Sequence, residues 1–303
     1  MFQQVINKMF KNNNFIPILL FFAVIILLKY QNYISMTEIR NLIKCVKSGK
    51  RVTISKPNSL DSTNQQDKAF EELTTELRQV GGIEYKCPNL INRGNWHDCN
   101  SSPFIARKQC LVYSFGINYD FRFDDAMARV GCEVHSFDPS MGNTTKHIRK
   151  SEVHFHPIGI GGKSNDAIIP RMDQYTKKHP KKTWKVRTLR QIMESLGHED
   201  RILDILKIDI ETYEWEVLQN ILSDNLTSRI RQLELEFHIF PNTADVSNYV
   251  ELLQIYRSLK KAGFSRYTCT VYRFDNTKKV LQAECGLVNF KFDFYKYPLK
   301  HVV

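Results

Sequence analysis

The sequence predicts an α/β fold: a mostly parallel, Rossmann-like sheet of seven strands with a terminal antiparallel hairpin, preceded by an N-terminal membrane anchor. Three observations predict it. Leu111 to Phe115 is a short apolar run broken by Gly116, and Val134 to Phe137 leads into Asp138, the strand, glycine turn, helix and strand of a nucleoside-binding unit. Apolar runs then alternate with segments of helical spacing as far as Gly263. The chain closes on Tyr267 to Phe290, two strand-like runs that fold back about Thr277.

Taken in order, Phe15 to Leu28 is an apolar run shorter than the ~20 residues of an ordinary membrane span, and no small-residue cleavage site follows it. This predicts an uncleaved signal anchor over 15–28, a short cytoplasmic tail over 1–14 and a luminal catalytic domain, the layout of a single-pass type II protein. Short spans suit the thinner membranes of the early secretory pathway, so the Golgi or endoplasmic reticulum lumen is the expected compartment. Flanking charge does not fix the orientation, because Lys8 and Lys11 face Lys29, Arg40 and Lys44. Residues 29–80 read as a stem, polar and basic up to about Asp67. Phe70, Leu73 and Leu77 then share one helical face, and Gly81-Gly82 ends that helix. The folded domain is expected over 81–303.

Within it, Phe123 to Val130 reads as a helix and Val153 to Ile158 as the third strand. Gly159-Ile-Gly-Gly162 lacks the lysine and hydroxyl of a phosphate loop and reads as a plain turn. Leu189 to Leu196 is a helix ending near Gly197, and Leu206 to Ile210 is the fourth strand. Trp215, Leu218 and Leu222 mark the buried face of the next helix. Gln232 to His238 alternates with period two, placing Leu233, Leu235 and Phe237 on one face and Glu234 and Glu236 toward solvent. Val250 to Lys261 is a helix stopped by Gly263.

Composition excludes some functions. The 303 residues are 42% hydrophobic, enough for one large domain, and carry a net charge of +11. The one dense basic cluster, Lys177 to Lys182, reads as a solvated insertion, and no nucleic-acid-binding signature accompanies it. Asn100, Asn143 and Asn225 head glycosylation sequons, which permit a luminal assignment. Of seven cysteines, Cys269 and Cys285 lie symmetrically about Thr277, either as a cross-strand disulfide or as two buried thiols. Cys87, Cys99, Cys110 and Cys132 can form further bridges in pairings that sequence leaves open, with Cys45 the odd one over.

The ligand of such a sheet lies beyond the carboxyl ends of its strands. Gly116 and Asp138 have the spacing of a glycine turn and a ribose-binding acid, but the G-x-G-x-x-G pyrophosphate fingerprint is missing. A nucleoside without phosphates, such as S-adenosylmethionine, fits better. Ser114, Phe115, Gly116 and Pro139 would form its floor and Asp138 would hold its ribose. Asp209 and Glu211 end the fourth strand and Glu236 and His238 the fifth, all at the carboxyl edge, and His238, Glu236 and Asp209 are the candidate catalytic groups, Glu236 for its place beside His238. Asp209 would face the donor or the acceptor, and Glu211 with Glu214 would bind the acceptor. His238 is the candidate base, because imidazole titrates nearest neutral pH, although a histidine capping a strand end accounts for it equally. No metal is predicted, since strong ligand spacing is absent.

Leu203-Asp-Ile-Leu-Lys-Ile-Asp-Ile-Glu-Thr-Tyr-Glu-Trp-Glu-Val-Leu218 resembles the L-K-I-D-x-E-G-x-E segment of FkbM-like methyltransferases, with carboxylates matching at Asp209, Glu211 and Glu214. Val186-Arg-Thr-Leu189 is similar to the V-x-T-L element that precedes it. Val112-Tyr-Ser-Phe-Gly-Ile117, Asp124-Asp-Ala-Met-Ala128 and His135-Ser-Phe-Asp-Pro-Ser140 resemble still more the animal methyltransferase-like proteins of the twenty-four type. The resemblance covers Cys110 to Phe290. It implies a class I methyltransferase fold, S-adenosyl-L-methionine as cofactor, and methyl transfer to oxygen of an unidentified glycan, small molecule or protein. Thr212 and Tyr213 depart from the pattern, which has glycine and a small residue there. Two other classes stay open. An anchored glycosyltransferase would use Asp209-Ile-Glu211 as a metal-binding D-x-D motif, and a binding module would keep the fold without turnover.

Overall fold

The computed structural model describes residues 59–78, 83–104, 110–170, 183–239, 248–274 and 280–292. The expected anchor, the lysine cluster, Cys45 and the turn about Thr277 lie outside these residues. Among the described residues no helix is long and apolar enough to cross a membrane. The chain divides into Met1–Ser59 and Leu60–Val303, and the second unit carries the fold that follows.

Helix α1, Ser59–Arg78, is more than the end of a stem. Its Phe70, Leu73 and Leu77 are buried in the main core, Phe70 packs on Tyr249 at 4.5 Å, and Gln66 accepts a hydrogen bond from the Val250 amide at 3.2 Å. An apolar helical stripe needs a partner surface, and here the C-terminal helix provides it. The folded domain therefore begins ahead of Gly81, and the boundary read from sequence is corrected.

A hairpin follows, β1 (Leu90–Arg93) and β2 (Trp96–Cys99). The main sheet is built from β3 (Leu111–Phe115), β4 (Glu133–Phe137), β5 (His147–Ile148), β6 (His154–His156), β10 (Leu203–Ile208), β11 (Ile230–His238), β12 (Phe264–Phe274) and β13 (Val280–Asn289). Between them lie a small sheet of β7 (Gly159–Ile160), β8 (Asn165–Ile168) and β9 (Trp184–Arg187), and helices α2 (Arg122–Arg129), α3 (Leu189–Ser195), α4 (Glu214–Ser223) and α5 (Tyr249–Ala262). The order is β12-β13-β11-β10-β3-β4-β6-β5, eight strands rather than seven because β5 adds a two-residue edge. β11, β10, β3, β4 and β6 are parallel, and β13 enters antiparallel between β11 and β12. The glycine stretch expected to be a plain turn starts as β7, paired parallel to β9.

Alternate residues of β3 feed two cores, Leu111, Tyr113 and Phe115 on one face and Val112 on the other. Covering on both faces explains why the parallel strands read as continuous apolar runs. It also corrects the reading of Glu234 and Glu236 as solvent-side residues: all nine residues of β11 are buried. The β1–β2 hairpin covers their face, with Gln232 exchanging hydrogen bonds with the Cys99 backbone at 3.0 Å and the Tyr267 hydroxyl donating to Glu234. Disulfides join Cys87 to Cys99, Cys110 to Cys132, and the cross-strand neighbours Cys269 and Cys285.

Candidate active site

A cleft of about 220 Å³ opens beyond the carboxyl ends of β3, β4 and β10, with the small sheet as its far wall. Its floor is made where three strand ends are latched together. The Gly116 amide donates to the Phe137 carbonyl at 3.0 Å, and the Asp209 amide donates to the Phe115 carbonyl at 3.1 Å. Gly116 has φ +81°, and a Cβ on it would stand 1.6 Å from the Asp209 carbonyl oxygen. Only glycine fits that approach.

Asp138 anchors the turn that follows. One carboxylate oxygen accepts from the amides of Ile117 and Asn118 at 2.9 and 2.8 Å, and the other from the amide and hydroxyl of Ser140 at 2.7 and 2.6 Å. These four bonds occupy the acceptor sites of a carboxylate. Beside it the rings of Phe115 and Phe137 stack at 4.5 Å.

Of the residues singled out from sequence, Phe115, Gly116, Asp138, Pro139, Asp209 and Glu211 line the cleft. Ser114, Glu214, Glu236 and His238 do not. Strand alternation sends Ser114 to the opposite face, where it lies buried against Asp124. Glu214 is wholly buried and ties two elements together, accepting from the Ile210 amide at 2.8 Å and pairing with His238 Nδ1 at 2.9 Å. An acceptor-binding role for Glu214 does not fit that burial.

His238 is also corrected. Burial alone would lower its pKa, but Glu214, Glu211 and Glu236 surround the ring and raise it to about 10. The imidazole holds its proton at neutral pH and is no general base there. Glu236 carries the neutral-range titration instead. Burial, then the neighbouring charge of Asp209 and a hydrogen bond to it, push the Glu236 carboxyl up to about 8. Asp209, Glu236 and His238 have donor atoms within 4.8 Å of one another, a set that a hard or borderline cation can also use.

Sequence reasoning missed several cleft residues. Lys207 is buried in β10, donates to the Gly116 carbonyl at 3.3 Å and lies over the Trp96 ring at 4.8 Å. Its signal was a lysine set between Leu206 and Ile208 in a strand read as buried. Trp184, Ile168 and Val186 come from the small sheet, whose short strands carry too few residues for a periodic signal. Among the described residues the buried Nε1 of Trp184 has no hydrogen-bond partner.

A doubly wound sheet with an antiparallel last strand inserted near its edge, and a cleft over its first glycine turn, fits a methyltransferase fold. The chain belongs to the methyltransferase-domain family, whose profile matches residues 77–288. It is similar to the "Probable methyltransferase-like protein 24" of Rattus norvegicus, 33% identical over 186 residues, which are 56% of this chain and 48% of the relative. The protein of the same name in Homo sapiens is 32% identical over 151 residues, 48% of this chain and 38% of the relative. The match thus spans about half the length of these curated relatives or less.

Proposed function

We propose that the protein is an S-adenosyl-L-methionine-dependent methyltransferase acting on a hydroxyl oxygen of a glycan, small molecule or protein in the secretory lumen, held to the membrane by residues 15–28. The observation that carries this reading is the latch of Gly116, Asp138 and Asp209 at the floor of the cleft. The residues present suit the cofactor. Asp120, Asp138, Asp209, Glu211 and Glu216 line the cleft against one Lys207, a lining that favours a cationic sulfonium and disfavours a sugar diphosphate. The Trp184 N–H, without a hydrogen-bond partner among the described residues, supplies a donor, and Ile160, Ile168 and Val186 add apolar lining for a nucleobase. The three disulfides support an oxidising compartment.

Bound S-adenosylmethionine would supply an electrophilic methyl on a positively charged sulfur. The acidic wall would bind and orient that charge. Asp138 Oδ1, held only by its neighbour Ser140, would turn to the ribose while Oδ2 keeps the Gly116 turn in place. Asp209, backed by Glu236, would take up the acceptor's hydroxyl proton as its oxygen receives the methyl. His238, protonated, would keep these carboxylates positioned. Turnover would then rise with pH as Glu236 loses its proton near 8.

The test is calorimetric titration of the full chain with S-adenosylmethionine and S-adenosylhomocysteine. Micromolar binding lost in Asp138→Ala is expected. Undiminished binding by a folded Asp138→Ala variant refutes the ribose assignment, and metal-dependent binding of a nucleotide sugar alone refutes the cofactor.

A further inference from the structure

At the opposite, amino-terminal edge of the parallel sheet, histidines gather on one face. Tyr113 and His135 stand opposite each other in the pairing of β3 and β4, and His154 and His156 continue the row on β6. His198, on the turn after α3, closes over them. Glu133 Oε1 lies 2.9 Å from His135 Nε2 and 3.1 Å from His198 Nε2. The other nitrogen of each ring is also held. His198 Nδ1 meets the Tyr113 hydroxyl at 2.7 Å, and His135 Nδ1 meets His156 Nε2 at 3.0 Å.

We propose that Glu133, His135 and His198 form a binding site for a divalent transition ion of the zinc class, with a water as the fourth ligand. The two imidazole Nε2 atoms and one carboxylate oxygen all lie within 4.8 Å of one another. Bonds of ~2.0–2.1 Å to a tetrahedral ion place ligand atoms ~3.3 Å apart, so the two contacts to Glu133 need open by only a few tenths of an ångström. The hydrogen-bond network accepts the exchange. With the ion absent, each Nε2–H donates to Glu133 and each Nδ1 accepts. With it bound, each Nδ1–H donates instead, to the Tyr113 oxygen and to His156 Nε2, and no ring nitrogen is orphaned. Such partners orient metal-binding histidines generally. Glu133 is 37% exposed, which leaves an approach from solvent.

Arg201 opposes the ion. It pairs with Glu133 Oε2, leaving Oε1 available, and its guanidinium comes within 3.4 Å of His198 Nε2. A side chain 35% exposed can turn outward when the ion enters. That makes Arg201 a competitor whose removal tightens the site, which a purely structural histidine cluster would not predict.

The full chain, cleared of metal by chelation, is titrated with Co²⁺ and then Zn²⁺. The expected result is one equivalent bound, the visible band of a tetrahedral cobalt site, displacement by Zn²⁺, and a higher melting temperature with Zn²⁺. Glu133→Gln and His198→Gln should abolish the band. Tyr113→Phe, which spares every ligand, should weaken affinity roughly ten- to a hundredfold, and Arg201→Gln should strengthen it. Absence of binding by the folded wild type overturns the proposal. So does binding that survives His198→Gln, or that is lost in Asp209→Asn, which would place the ion at the cleft. If the histidine variant does not fold, Tyr113→Phe and Arg201→Gln decide, and unchanged affinity in both overturns it.

Discussion

Thr212→Gly is expected to stabilise the domain. Thr212 stands where FkbM-like sequences have glycine, and it adopts φ +81°. A β-branched side chain there is a genuine outlier, and such strain costs ~1–3 kcal/mol. Its Oγ1 is also buried with no hydrogen-bond partner among the described residues, a further penalty of ~1–3 kcal/mol. Glycine removes both. Against this stand ~0.5–1 kcal/mol of extra chain entropy in the unfolded state and ~0.8 kcal/mol for the lost methyl. The balance is a gain of ~2 kcal/mol at mid-range, and for a domain of this size each kcal/mol raises the melting temperature ~2–4 °C. Thermal unfolding followed by circular dichroism measures it. Thr212→Val, which drops the hydroxyl but keeps the branched Cβ, should recover less of the gain. An unchanged or lowered melting temperature for Thr212→Gly refutes the claim that this backbone is strained. The strained residue adjoins Glu211, itself at φ +56°, on the loop carrying Asp209 into the cleft, so relaxation should weaken acceptor binding.

Two further outcomes follow from the buried charges. His238 has its pKa raised from the ordinary 6.5 to about 10, so its contribution is complete below pH 6.5 and fades as pH rises to 10; Glu236, raised from 4.5 to about 8, acts with the same sign. Unfolding free energy should therefore fall by a few kcal/mol over pH 6.5–10. His238→Gln should be destabilised ~3–5 kcal/mol at pH 6 and much less at pH 10. Lys207→Met should cost ~3 kcal/mol at pH 8, because it strips the cation from buried Asp124. The loss should shrink as pH falls, because burial raises the Asp124 carboxyl's affinity for a proton and the protonated acid needs no cation. Chemical denaturation across pH checks both, and a flat pH profile for either variant's deficit counts against the assignment.

Much of the fold was legible because its signals are local. Gly116 and Asp138 sit at the ends of apolar runs whose spacing a doubly wound unit dictates, and counting outward from a turn makes Cys269 and Cys285 cross-strand neighbours, though not whether they bridge. What could not be read was what covers what. The apolar stripe of α1 looked like a stem because nothing in residues 59–78 names α5 as its partner. Glu234 looked solvated because period-two alternation normally marks one wet face. The β1–β2 hairpin, more than 130 residues earlier, dries that face.

The site divides along the same line. Phe115, Gly116, Asp138, Pro139 and Asp209 stand at the cleft because a strand end fixes where they lie, whereas the pleat turns Ser114 away. Roles that depend on a charge state were not legible in this way. Imidazole titrates near neutrality when isolated, and sequence proximity showed only that Glu236 lies two residues from His238. The fold adds Glu211 from the loop after β10 and Glu214 from the first turn of α4, so one ring faces three carboxylates. In that company the proton stays on the histidine, and the surplus acid, Glu236, is left to share with Asp209. Assigning acid and base therefore required the tertiary neighbours, and under the proposed function they favour Asp209, at the cleft, with Glu236 behind it, over His238 as the proton-accepting position.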